Sequence, residues 1–222
     1  MGIEPTETTM FLNLNQEKQQ RILDAAIGEF AEKGYGKASV NVVVKKAEIS
    51  KGALFKYFRS KSGLFAFVYR IALKRVKDYL RTVRDDSKDE NFFLRLRKIM
   101  SAGVDFVHQY PGLARIYYRI IFTGDAPYKD EILEELHRES LEFIQSLIED
   151  GIHRGDVRQD MNPRIGAFVL ECVLDQFLQA HYLRFLDHSL ELYGASTEKS
   201  KQWIEEIVEL FRKGIGDNSQ LI

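Results

Sequence analysis

Residues 39–64 read Ser-Val-Asn-Val-Val-Val-Lys-Lys-Ala-Glu-Ile-Ser-Lys-Gly-Ala-Leu-Phe-Lys-Tyr-Phe-Arg-Ser-Lys-Ser-Gly-Leu, and the fold turns on how the valines are taken. By propensity alone Val40, Val42, Val43 and Val44 suggest a strand, because β-branched side chains lose rotamer freedom in a helix. The stretch does not alternate apolar with polar residues, however. Val40, Val43, Val44 and Ala47 instead form the i, i+3, i+4, i+7 stripe of a short helix, with Ser39 at its N-cap. After Glu48 and Ile49, Ser50 is placed to cap a second short helix, Lys51 to Phe58, with Leu54 and Phe58 facing inward. Ser60 then caps a long helix from Lys61 to about Asp85.

Helical spacing continues in both directions. Upstream, a helix from Gln16 to Lys33 carries the inward stripe Leu23, Ala26, Ile27 and Phe30. Asn15 is its N-cap, and Gly34 sits where a left-handed C-terminal residue is wanted. The polar opening, residues 1–15 with Glu4 and Glu7, is expected to be a flexible arm. Downstream, helices are expected at Asn91–Tyr110 (stopped by Pro111), Leu113–Thr123, Tyr128–His153, Pro163–Tyr193 and Thr197–Gly214. The chain therefore reads as all-α.

Composition narrows the function classes. The chain has 222 residues, 45% of them hydrophobic, which is long enough for a buried core and unlike a disordered polymer. A single cysteine, Cys172, excludes a disulfide framework and a Cys-based zinc cluster and suits a reducing cytoplasm. No uninterrupted run of ~18 apolar residues predicts a membrane span, and Met1 to Gln20 lack the order of a secretory signal. A cytoplasmic protein with no membrane partner is expected. No Gly-rich phosphate loop or nucleophile elbow is present, so no enzymatic activity and no cofactor are expected.

The net charge of −1 at first argues against a nucleic-acid partner. It is an average over unlike regions. From Lys33 to Lys61 there are eight basic residues (Lys33, Lys37, Lys45, Lys46, Lys51, Lys56, Arg59, Lys61) and one acidic, Glu48, so these residues carry +7 and the remainder −8. Two short helices joined by Glu48-Ile49-Ser50 have the form of a helix-turn-helix, whose second helix enters a major groove about 12 Å wide. With Leu54 and Phe58 turned toward Val40, Val43 and Val44, the residues left outward are Lys51, Gly52, Ala53, Phe55 and Lys56. Small Gly52 and Ala53 admit the DNA closely, and the lysines neutralise phosphates. The alternative from charge alone is a solvated basic face, or a helical interaction module whose basic corner binds an acidic protein or RNA without a specific operator.

The residues say more than the charge does. Ser39-Val40-Asn41-Val42-Val43, then Ala47 through Leu64, resembles the DNA-binding signature of the TetR family of transcriptional regulators. Arg21-Ile22-Leu23-Asp24-Ala25-Ala26, Phe30 and Lys33-Gly34-Tyr35 are similar to that family's first helix. The resemblance implies a DNA-binding domain over residues 16–60 and a helical ligand-binding and dimerisation domain over residues 61–222. It implies base contacts from Asn41, Lys51, Gly52, Ala53, Phe55 and Lys56, and phosphate contacts from Ser39, Tyr57 and Lys61; charge alone adds Lys45 and Lys46. Three departures stand out. Glu48 occupies a turn position where the family usually has Gly, so the turn is expected to be either strained by a positive φ or differently shaped. Phe55 replaces a usual Tyr, and Lys56 a usual His or Tyr.

The C-terminal two-thirds carries the expected partners. The stretch from Pro163 is apolar nearly all round (Ile165, Phe168, Val169, Leu170, Cys172, Val173, Leu174, Phe177, Leu178, Leu183, Phe185, Leu186), which predicts burial on two sides. The last helix has one apolar stripe, Ile204, Ile207, Val208, Phe211 and Ile215. The resemblance implies that the last two long helices form a homodimer, which would bring two recognition helices to the half-sites of a palindromic double-stranded DNA operator. It also implies a small-molecule effector, unidentified, and a repressor that the effector releases. Candidate pocket residues are Phe106, Tyr110, Tyr117, Tyr118, Phe122, Phe143, Phe168, Glu171, Cys172, Asp175 and Phe177; plain core packing is the alternative for each aromatic. Three acid-x-x-His patterns, Asp105–His108, Glu134–His137 and Asp150–His153, fall short of a di-iron set, which needs two Glu-x-x-His motifs and further inward carboxylates, and no metal is expected. His181 is expected as a satisfied structural histidine, and Cys172 as inert core rather than a redox switch.

Overall fold

The structure, a computed structural model, describes residues 5–124, 126–187 and 189–216. Among the described residues ten α-helices follow one another: α1 (Pro5–Leu12), α2 (Gln16–Lys37), α3 (Val40–Lys46), α4 (Lys51–Phe58), α5 (Lys61–Asp86), α6 (Phe92–Gln109), α7 (Pro111–Thr123), α8 (Lys129–Arg154), α9 (Pro163–Tyr182) and α10 (Thr197–Ile215). The valine run is helical, as its stripe requires: Val43 and Ala47 are buried, while Val40 and Val44 are half-buried. Among the described residues the only extended pairing is an isolated bridge between Val157 and Gly216.

Packing divides the chain into two compact units. One takes the described residues up to Arg75 together with Tyr110–Ile132; the other takes Val76–Gln109 and the residues from Leu133 on. This differs from a division at residue 60. The physical reason is α7, which packs along α2 and so belongs to the unit containing the short helices. The boundary then falls within α5.

The first unit is built on aromatic and aliphatic side chains from α2, α4 and α5. Leu23, Ala26 and Phe30 of α2 are buried as expected, and Phe30 meets Phe65 edge-on at 5.0 Å. The opening residues correct the sequence reading. Residues 5–12 form a helix rather than a loose arm, because Phe11 is 1% exposed and holds α1 against the rest of the unit. Between α4 and α5 the chain turns so tightly that a Cβ on Gly63 would lie 2.0 Å from the carbonyl oxygen of Phe58, which fixes glycine there.

The second unit has its core in Phe92, Leu96, Met100, Ile148, Leu170, Phe177, Leu192, Ile204 and Val208. Asn162 caps α9 through its side chain, which accepts from Arg164 N and Ile165 N, and Pro163 occupies the first turn, where no N–H is needed. The helix stops at Tyr182, well short of Tyr193. Leu183 is extended, a single 3₁₀ turn covers Arg184–Leu186, and Asp187 Oδ1 accepts from Leu192 N, so that Leu192 returns to the core fully buried. A continued helix could not place Leu192 there. The expectation that α9 is covered on two sides also fails within the chain: Ala167, Leu170 and Phe177 are buried, but Ile165, Phe168 and Val169 are 59%, 58% and 42% exposed.

Candidate nucleic-acid interface

The interface begins with a turn. Ile49 N donates to Val44 O and Glu48 N to Lys45 O, the paired bonds that close a helix on a left-handed residue. That residue is Glu48, at φ 55. Glycine carries no Cβ penalty in this conformation and glutamate does, so of the two turns the sequence allowed, the strained one is present. The Glu48 carboxylate lies 3.9 Å from Arg21 on the exposed surface, a contact too open to offset much of that cost.

From this turn α4 starts under a satisfied cap, with Ser50 Oγ accepting from Ala53 N at 3.1 Å. Leu54 and Phe58 are buried at 0% and 2% exposure, and they fix which face looks out. Lys51, Gly52 and Lys56 are exposed; Ala53, Phe55 and Tyr57 are half-buried. Lys51 Nζ lies 5.9 Å from the centre of the Phe55 ring. Gly52 has no conformational need to be glycine. Its backbone is helical, and an added Cβ would meet only Ser50 Oγ, at 4.0 Å. The open space there lets an outside surface come close to the α4 backbone.

On α3, Asn41, Lys45 and Lys46 are exposed on the same short helix that buries Val43. Ser39 stands at the N-cap position in extended conformation, but its side chain makes no capping bond. Its backbone N–H donates to Glu29 Oε1 at 2.9 Å, and Glu29 is 3% exposed, so a buried carboxylate of α2 sets where α3 begins. Lys61 is half-buried. Its ammonium donates to Gly36 O at 3.0 Å and lies 4.7 Å from the centre of the Tyr35 ring, so it ties the start of α5 to the end of α2. Lys33 is also partly spoken for: its hydrogen bond with Glu32 raises the lysine pKa and lowers that of the glutamate.

One supporting residue had no signal in the sequence. Arg119 of α7 donates from Nε to Ala31 O at 3.0 Å and from Nη2 to Glu32 O at 2.9 Å. These carbonyls belong to the last turn of α2 before Gly34, whose φ of 72 breaks the helix. Arg119 thus caps α2 from a helix 87 residues away in sequence. Local pattern cannot reveal such a pairing.

Residues 22–68 match the family model for bacterial regulatory proteins of the tetR family, and residues 90–215, more than half of the chain, match that for the tetracyclin repressor-like C-terminal domain. The chain belongs to the TetR family. It is a DNA-binding transcriptional regulator, all-α, with an N-terminal helix-turn-helix and a helical C-terminal domain. Among relatives, the HTH-type transcriptional regulator YhgD of Bacillus subtilis is 26% identical over 154 residues, 69% of this chain and 78% of that one. A TetR-family regulator from Chloroflexus aurantiacus superposes with a TM-score of 0.69 at 23% identity, covering 94% of this chain and 98% of its own. The transcriptional regulator FadR from Bacillus subtilis, solved in complex with stearoyl-CoA, gives a TM-score of 0.68 at 16% identity, with 88% and 98% covered.

The residues that the sequence offered as pocket candidates are divided between the two units. In the first, Tyr118 is buried, Tyr110 and Tyr117 are half-buried, and Phe122 is 51% exposed. In the second, Phe177 is buried, Phe106 and Phe143 are half-buried, Glu171 lies 3.2 Å from His137 Nδ1, and Asp175 accepts from Gln179 at 2.6 Å. Phe168 and Cys172 are corrections: both stand on the exposed side of α9, so within this chain Phe168 lines no interior site and Cys172 is not core. Phe122 is likewise a surface residue. His181 is buried and satisfied, with Nδ1 donating to Phe177 O at 2.8 Å and Nε2 2.7 Å from Ser200 Oγ; burial lowers its pKa. Among the described residues no three His, Cys, Asp or Glu gather as a metal site, and no helix is long and apolar enough to cross a membrane. Asp150 is engaged by Arg95 and Arg154 instead.

Proposed function

We propose that this TetR-family protein is a homodimeric repressor that reads a palindromic operator through α3 and α4 and is released by a small molecule. The observation that carries the DNA contact is the outward face of α4, with Lys51 and Lys56 flanking the uncovered backbone at Gly52. Base contacts are assigned to Asn41, Lys51, Gly52, Ala53, Phe55 and Lys56. Phosphate contacts are assigned to Ser39, Lys45, Lys46 and Tyr57; Lys61 acts by holding the start of α5 and can add a phosphate contact only through its remaining N–H groups. The protein acts in the cytoplasm, and catalysis has no part in its role.

The exposed side of α9 supports the dimer. Ile165, Phe168, Val169 and Cys172 fall at i, i+3, i+4 and i+7 and present one apolar stripe to solvent. A soluble chain covers such a stripe, and a second copy covers it by two-fold symmetry. The effector is proposed to bind among the helices of the second unit, where Phe106, Phe143, Glu171, Asp175 and Phe177 are candidates. FadR's complex makes stearoyl-CoA the first probe to try. Effector binding would favour a dimer state whose recognition helices misfit the operator, with α5 as the connecting element.

Selection of duplexes from a random DNA pool tests the reading. A palindromic consensus, bound by two chains, is expected. Binding that depends on salt but shows no preferred sequence would overturn it in favour of a non-specific basic module. If the effector acts by population shift, its affinity falls when operator is bound, because coupling is reciprocal.

A further inference from the structure

The recognition helix is short. Eight residues make little more than two turns, and a helix of that length has no stable direction of its own in water. Its aim comes from what it packs against. Leu54 supplies one anchor, fully buried on a helix that packs with α3. The C-terminal turn of α4, which carries Lys56 and Tyr57, has a different neighbour.

That neighbour is Phe11. Its ring lies 5.3 Å from Phe58, 5.0 Å from Phe67 and 6.4 Å from Tyr57, the last two edge-on, and it is 1% exposed. Tyr57 and Phe58 are themselves edge-on at 6.1 Å. Phe11 thus closes an aromatic cluster whose other members are the end of α4 and the first turns of α5. The flanking Met10 and Leu12 are 46% and 58% exposed, so of residues 10–12 only Phe11 is buried. A second attachment follows in the connection to α2: Gln19 Nε2 donates to Leu12 O at 2.9 Å and to Leu14 O at 2.7 Å. Residues 5–17 hold no lysine or arginine, so their side chains offer no cation to a phosphate.

We infer that α1 is a positioning element for DNA reading, with Phe11 as the wedge that sets the angle at which α4 presents Lys56 and Tyr57 to the operator. Phe11 touches no base. It acts through Phe58 and Tyr57, whose rings cannot occupy the same positions once the wedge is removed, because a close-packed aromatic cluster relaxes into a vacated volume. A phosphate contact tolerates a small change in that angle; a base-edge contact does not. Loss of the wedge therefore lowers discrimination between sequences more than it lowers attraction to DNA.

The inference rests on the reading of α4 as the recognition helix, and the experiment separates the two. Wild type, Phe11→Ala and Phe11→Leu are titrated against a duplex selected by the wild type and against a scrambled duplex of equal length, with far-UV circular dichroism as the check on folding. The expected result for Phe11→Ala is a loss of about tenfold or more in the ratio of the two affinities, the size of losing one base contact, with scrambled-duplex affinity within about twofold of wild type. Phe11→Leu, which refills part of the volume, recovers part of the ratio. An unchanged ratio, or equal losses on both duplexes, overturns the inference. Should Phe11→Ala fail to fold, the folded Phe11→Leu decides: a lowered ratio sustains the wedge and an unchanged one overturns it. If the wild type itself selects no sequence, the reading of α4 has failed, and the role of Phe11 falls with it.

Discussion

The outward face of α4 and the outward face of α9 are both left uncovered by their own units, yet they differ in chemistry. On α4 the exposed positions are Lys51, Gly52 and Lys56; on α9 they include the apolar row Ile165, Phe168, Val169 and Cys172, with Arg164 and Gln176 beside it. Both helices bury a stripe of the same kind, Leu54 and Phe58 in one and Ala167, Leu170 and Phe177 in the other. The buried stripe places the helix and says nothing about what it does. Function is written on the opposite side, where cations beside open backbone match a polyanion and a row of large apolar groups matches another apolar surface.

The contrast can be broken most forcefully on α9. Phe168→Asp should put a charge into the proposed contact and convert the dimer to monomer, with operator affinity falling by roughly 100-fold or more as two half-sites become one; analytical ultracentrifugation and operator titration read both. A variant that stays dimeric and binds normally would mean that another surface joins the copies. On α4, Lys51→Ala and Lys56→Ala should each weaken operator binding by about 1–3 kcal/mol and leave the dimer intact. The salt slope tells the two roles apart, since loss of a phosphate contact flattens it by about one unit.

Smaller effects test the supports behind each face. Arg119→Met removes two hydrogen bonds to the end of α2 and should lower urea stability by about 1–2 kcal/mol, discounted because the guanidinium is only half-buried. Behind α9, burial holds the His181 pKa below its ordinary 6.5, so the folded state binds this proton less readily than the unfolded state. The stability it contributes is present above the unfolded pKa and is lost as pH falls below about 6.5 toward the folded value, by at most about 1.4 kcal/mol per pH unit. Comparing denaturation curves of wild type and His181→Gln between pH 7.5 and 5.5 isolates that share. The smallest change is a gain: Glu48→Gly relieves a positive φ and should raise the urea midpoint by the equivalent of about 0.5–1 kcal/mol.

The two faces were not equally legible. Everything needed to orient α4 lies within its own neighbourhood: the valine stripe, the cap at Ser50, and the charge surplus from Lys33 to Lys61. The turn at Glu48 was only half legible: its position marked a place that favours glycine, but the structure decided between a strained turn and a reshaped one. The α9 face was not legible. A helix apolar all round reads as doubly buried, and one sequence cannot say which side its own chain covers. Tyr193 lay beyond the true end of α9 because the reversal at Leu183 exists to bring Leu192 into a core assembled from α6, α8, α9 and α10.

The sequence by itself determined that the chain is helical, where its basic reader lies, and which side chains of α4 point outward, because periodicity, capping and local charge are interactions between near neighbours. Only the tertiary structure decided that residues 5–12 are a packed helix wedged by Phe11, that Arg119 closes α2 from a distant helix, and that Phe168 and Cys172 stand outside. Those outcomes depend on which distant surfaces meet, and a surface buried by a remote partner leaves no periodic mark on the sequence that carries it.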